Sequence, residues 1–132
     1  MNNLITIALI AGILSAQALS AQPKMENQKI MEQSKYGLNG KLIAKEGSGP
    51  QLSAILLQAS ELLTKRSECY LYLVSIDQSN PDWVWVTEVW ESKEAHDQSL
   101  SDPEVRNLIG QGIPLMSENQ EKGVSLDVLG GY

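Results

Sequence analysis

ECYLYLVSID (Glu68–Asp77) and WVWVTEVWE (Trp83–Glu91), joined across Asn80-Pro81-Asp82, are the stretches whose reading decides the fold. Both runs are rich in β-branched and aromatic residues, and the residues between them favour a tight turn, so the pair reads as a β-hairpin. A half-buried antiparallel strand alternates apolar and polar residues, yet Tyr70–Val74 and Trp83–Val86 are apolar at every position. Both faces of the sheet that holds this hairpin therefore need cover.

Upstream, YGLNGKLIAKE (Tyr36–Glu46) reads as a strand, with Leu38, Leu42 and Ala44 on one parity and Asn39, Lys41 and Lys45 on the other. Gly47 and Gly49 end it. Ser48 can cap a following helix with Pro50 in its first turn, and Leu52, Ile55, Leu56, Ala59, Leu62 and Leu63 give that helix one apolar side. Downstream of the hairpin, Ser92 is the expected N-cap of a helix carrying Ala95, His96, Ser99 and Leu100. A second start follows at Ser101-Asp102-Pro103-Glu104, where Ser101 and Glu104 have capping-box spacing, and Val105, Leu108 and Ile109 continue it until Gly110, Gly112 and Pro114. Residues from Gly123 to Leu129 form a last short strand. The order β-α-β-β-α-β predicts an α+β, ferredoxin-like fold with a four-stranded antiparallel sheet. Its helices can cover one face. The other face is expected to pack on a second copy, giving a homodimer in the form of a dimeric α/β barrel.

The 132 residues suit a single domain, and a net charge of -6 without a basic stripe excludes nucleic acid as a partner. Leu4–Leu19 is apolar and uncharged and ends in small residues, which predicts a signal peptide over residues 1–20, cleaved near 18–21. The competing reading is an uncleaved anchor, although the run falls short of the ~20 apolar residues of a spanning helix. The expected organisation is then a linker at 21–35 and a domain at 36–132, exported to the periplasm or the exterior, with no stable membrane insertion after cleavage. Cys69 is the one cysteine, which excludes an internal disulfide and multi-cysteine metal sites, and its apolar neighbours make it a buried hydrophobe.

YGLNGKLIAKEGSG (Tyr36–Gly49), WVWVTEVWESKEAHDQSL (Trp83–Leu100) and LIGQGIPLM (Leu108–Met116) resemble the antibiotic-biosynthesis-monooxygenase family, in particular its quinol-monooxygenase type. The resemblance runs from Tyr36 almost to the end of the chain. It implies oxidation of a small aromatic quinol or phenol by O2 with no cofactor and no metal, in a dry pocket that supplies a base and hydrogen bonds to an anion. A non-catalytic dimeric module that holds a small apolar ligand or is associated with stress is the alternative. Haem degradation fits less well, because Val105–Gly112 contains no histidine. An export signal is unusual for the family, and Asn39 stands where an aliphatic residue is expected.

His96 is the single histidine and the first candidate for a catalytic base, against a bracing role at the hairpin-to-helix junction. Glu88 and Trp90 share a strand parity with Val84 and Val86. A carboxylate in that apolar set needs a partner or a raised pKa, so Glu88 is the second catalytic candidate, or else a member of an inter-subunit ion pair. Trp90, Tyr72 and Asn39 are the candidate substrate-binding residues, each set against a packing or strand-edge role.

Overall fold

The computed structural model describes residues 18–132, so the segment read as a signal peptide lies, up to residue 17, outside the described residues. The chain divides into two compact units after Gln33. In the first, α1 (Ala18–Glu32) is helical where the sequence suggests a linker. Lys, Met, Glu and Gln favour the helix intrinsically. Every side chain from Lys24 to Gln33 is exposed, in keeping with the missing apolar stripe. Among the described residues, no helix is long and apolar enough to cross a membrane.

The second unit contains β1 (Lys35–Ile43), α2 (Gly49–Leu63), β2 (Cys69–Ile76), β3 (Trp83–Trp90), α3 (Lys93–Ser99), α4 (Pro103–Gly112), a 3-10 turn (Ile113–Leu115) and β4 (Val124–Val128). The strands form one antiparallel sheet in the order β2-β3-β1-β4, the ferredoxin-like arrangement that the sequence predicts. The sheet is open, with β2 and β4 at its edges.

Pairing fixes the faces. Trp90 lies opposite Tyr36, Glu88 opposite Leu38, and Val84 opposite Leu42, and this parity meets the helices. There Leu52, Ile55, Ala59 and Leu63 of α2 and Val105 and Leu108 of α4 pack with Val84, Trp90 and Cys69 into the core. Cys69 is buried as expected, and burial, helped by the Glu88 charge, pushes its thiol up to about 11. The opposite face carries Leu71, Leu73, Trp83, Trp85, Val124 and Leu126, with Leu73 50% and Leu126 46% exposed.

Two helix starts differ from expectation. Ser48 precedes α2 but makes no side-chain cap. Asp82 of the hairpin turn takes that role instead, accepting from Gly47 N at 2.9 Å and Gly49 N at 2.8 Å. The close approach requires a glycine, since a Cβ at Gly49 would sit 2.0 Å from the Pro81 carbonyl oxygen. For α4 the cap is Asp102, which accepts from Glu104 N at 2.9 Å, so the capping box expected from Ser101 is displaced by one residue. Ser92 caps α3 as read from the sequence, accepting from Ala95 N at 3.1 Å.

Candidate active site

A cavity of about 140 Å³ lies between the sheet and α2 and α4. Most of its wall is aliphatic, including Leu52, Ile55, Ala59, Val105 and Leu108. Ionisable side chains enter it at Glu88, His96 and Tyr72. Three elements bring them together: β3 points Glu88 toward the helices, β2 places Tyr72 beside it in register, and the Ser92-capped α3 returns His96 over the end of β3.

Glu88 is 8% exposed. Its Oε2 accepts from Trp90 Nε1 at 2.7 Å and lies 3.8 Å from His96 Nε2. Burial lifts the Glu88 carboxyl above the usual carboxylate range, while the Trp90 bond and the neighbouring imidazole draw it partly back. The Tyr72 phenol is pushed up as well, first by burial and then by the Glu88 charge, so it stays protonated.

The imidazole of His96 is held on several sides. Its Nδ1 is 3.0 Å from Asp97 Oδ1, and its ring packs at 5.6 Å between centroids on Tyr36 and, edge-on, at 5.6 Å on Trp90. An ionised carboxylate only accepts, so Asp97 favours the tautomer with hydrogen on Nδ1 and leaves Nε2 as the acceptor turned toward Glu88. Ser99 Oγ donates to the His96 carbonyl at 2.6 Å and ties down the helix turn below the ring. The contacts with Asp97, Tyr36 and Trp90 brace the ring at the hairpin-to-helix junction, and the same side chain lines the cavity.

Not every candidate converges. Trp90 is fully buried and does not line the cavity; it packs in the core and donates to Glu88. Asn39 belongs to the opposite parity, on the sheet face turned away from the helices, and its Nδ2 donates to Thr87 Oγ1 at 2.8 Å. It is therefore apart from Glu88 and His96. Tyr36, by its parity with Leu38 and Leu42 at the start of β1, lies on the helix side and packs on His96 without lining the cavity. Gly112, which the sequence marks as a helix end, also lines the cavity. Among the described residues, no group of three or more His, Cys, Asp or Glu side chains is placed to hold a metal ion.

Comparison with known proteins agrees with this architecture. A candidate antibiotic biosynthesis monooxygenase from Chloroflexus aurantiacus J-10-fl superposes with a TM-score of 0.68 at 37% identity, covering 75% of this chain and 97% of its own. A second, from Deinococcus radiodurans, gives 0.61 at 26% identity, covering 70% and 91%. A conserved protein from Methanosarcina mazei Go1 shares the fold alone, at 0.65 and 14% identity, covering 76% and 98%. A search of curated proteins finds no match. The sequence model of the family described as "Antibiotic biosynthesis monooxygenase" matches residues 36–111, the span that carries β1, the hairpin, Glu88 and His96, and the chain belongs to that family.

Proposed function

We propose that the protein is a monooxygenase that oxidises a small aromatic quinol or phenol with O2, without a bound cofactor. The observation that carries this reading is the placement of Glu88 and His96, 3.8 Å apart, on the wall of a mostly aliphatic cavity. That separation is too long for a direct hydrogen bond, but a substrate hydroxyl oxygen about 2.8 Å from each would bridge it. His96 Nε2 takes the hydroxyl proton, and Glu88 in its protonated form donates to the resulting oxyanion. The phenolate is electron-rich and passes one electron to O2, the radical pair recombines at a ring carbon, and loss of water leaves a carbonyl. For a hydroquinone the balance is quinol plus O2 to hydroxyquinone plus water, so the substrate supplies all four electrons. The dry aliphatic wall protects the radical pair from solvent.

Two further parts complete the proposal. A second copy covers the sheet face that carries Leu71, Leu73, Trp83, Trp85, Val124 and Leu126, since an apolar surface of this extent is costly to leave in water. The N-terminal segment exports the protein, which suits a reaction that needs no nicotinamide. Size-exclusion chromatography with light scattering tests the dimer, and a stable monomer at micromolar concentration would contradict it.

The activity is tested with an oxygen electrode on a panel of hydroquinones, against the rate of autoxidation in buffer. Uptake that depends on His96 and Glu88, with one oxygen atom of O2 found in the product, is the expected result. Saturable binding without uptake would identify a ligand-binding module instead.

A further inference from the structure

We infer that the cavity accepts a single aromatic ring, and that Gly112 sets this limit: the substrate is a monocyclic phenol or quinol, and fused polycyclic ones are excluded. The inference rests on the oxidation reading for the word substrate, but its physical content is a statement about which ligands fit.

The volume of about 140 Å³ is the starting point. A dry cavity of ~150 Å³ lined by Leu, Ile and Phe side chains holds one benzene. The space here is of that size and of that chemistry, with one polar end at Glu88 and His96. Its inner wall cannot easily yield, because Leu52, Ile55, Ala59, Leu63, Val105 and Leu108 are also core side chains packed between helices and sheet, while the exposed Leu100, Ile109 and Ile113 line its outer part.

A second hollow of about 360 Å³ adjoins the first, and Leu42, Tyr72 and Glu88 line both. A fused ring that extends toward it has to pass Leu42, Tyr72 and Glu88. Beyond it the walls include Lys41, Glu121, Lys122 and Ser125, with Lys41 Nζ paired to Glu121 at 2.7 Å. An aromatic ring placed there would meet Leu38 and Val86 but would also take solvent from that ion pair. The ring therefore stays in the aliphatic chamber, with its hydroxyl at the Glu88 end.

Gly112 closes α4 on the cavity wall. A Cβ built there would lie 3.5 Å from Leu52 Cδ1 and 4.0 Å from Ile55 Cγ2, ordinary contact distances to two other lining residues. A methyl group therefore fits without strain, and it takes its space from the chamber. No side chain larger than hydrogen leaves the full ring-sized volume.

Calorimetric binding of phenol and 1-naphthol to the full chain tests this. Naphthol is the more hydrophobic probe and would bind tighter if apolar burial alone decided. The expected result is the reverse, with naphthol at least about tenfold weaker, in line with the ~10–200-fold that one methylene commands in a filled pocket. G112A should weaken phenol by a factor in that same range while the protein keeps its cooperative unfolding. Leu56→Ala, at a half-buried wall position, should narrow the gap between the two probes. Naphthol binding as tight as phenol, or no binding of either, overturns the inference. The oxidation reading fails separately: it falls if neither hydroquinone nor 1,4-naphthohydroquinone drives oxygen uptake, whatever the binding order.

Discussion

Replacing Glu88 by Gln should make the protein more stable at neutral pH and keep a hydrogen-bond donor in the site. The carboxyl is 8% exposed, accepts one hydrogen bond from Trp90 Nε1 and stands 3.8 Å from the His96 ring, and burial raises its pKa. A group whose folded pKa lies above its unfolded value binds its proton more tightly in the folded state. Folding then carries no penalty from it below the ordinary glutamate range and loses stability as pH rises through the elevated value. Within that window the loss reaches about 1.4 kcal/mol per pH unit. For a domain of this size that is roughly 5–11 °C in Tm per pH unit. Gln keeps the shape and an oxygen for Trp90 but cannot ionise, so its variant should show no such slope. Asp77, Glu91 and Asp97 are shifted downward by their hydrogen bonds, to Ser79, Lys35 and Lys93 respectively. Their contribution is lost as pH falls below the usual carboxylate range, on the acid side of the Glu88 window, and it cancels between the two proteins. Thermal denaturation of both from about pH 4 to about pH 8 reads the difference. The Tm of the variant should gain on the native chain as pH rises, while quinol-dependent oxygen uptake persists, because the amide still donates to the oxyanion. A difference that stays constant with pH would refute the reasoning, because Glu88 would then not be held in a raised state.

His96→Ala should lower kcat/KM for the best hydroquinone by about 10²–10⁴-fold, the usual contribution of a positioned base, and unchanged turnover would remove the role. Asp82→Ala strips the acceptor from Gly47 N and Gly49 N at the start of α2 and should cost about 1–3 kcal/mol in denaturant unfolding, with the preference between phenol and naphthol unchanged. Cys69, with its thiol at about 11, has about one thiolate in a thousand at pH 8, so a thiol reagent should label it only after unfolding; fast labelling of the native chain would show the β2 end to be open.

The order of elements was legible in the sequence because each depends on a local pattern: the apolar hairpin strands, the helical spacing from Leu52 to Leu63, and the Ser92 cap. What was not legible came from contacts distant in sequence. Asp82 caps α2 across the fold, so Ser48 looked sufficient from its neighbours alone. Similarly, α1 forms without an apolar stripe, and a reading that requires a stripe before assigning a helix passes over it. The capping box at Ser101 lost to Asp102 because the side chain one residue nearer the helix already reaches two backbone N–H groups.

Site residues divide along the same line. Strand parity alone put Glu88 with Val84, Val86 and Trp90, and a carboxylate in that company had to be either paired or protonated; the structure gives it a tryptophan donor and a histidine neighbour. Parity likewise sets Asn39 on the side of Lys41, on the sheet face turned away from Glu88 and His96. Gly112 carried no signal at all, since a glycine that ends a helix and a glycine that leaves room for a ligand look identical until Leu52 and Ile55 are seen across from it. Polar groups in an apolar pattern can thus be found from sequence, because burying them demands an explanation. Space cannot, because the volume left by an absent side chain is defined only by what packs around it.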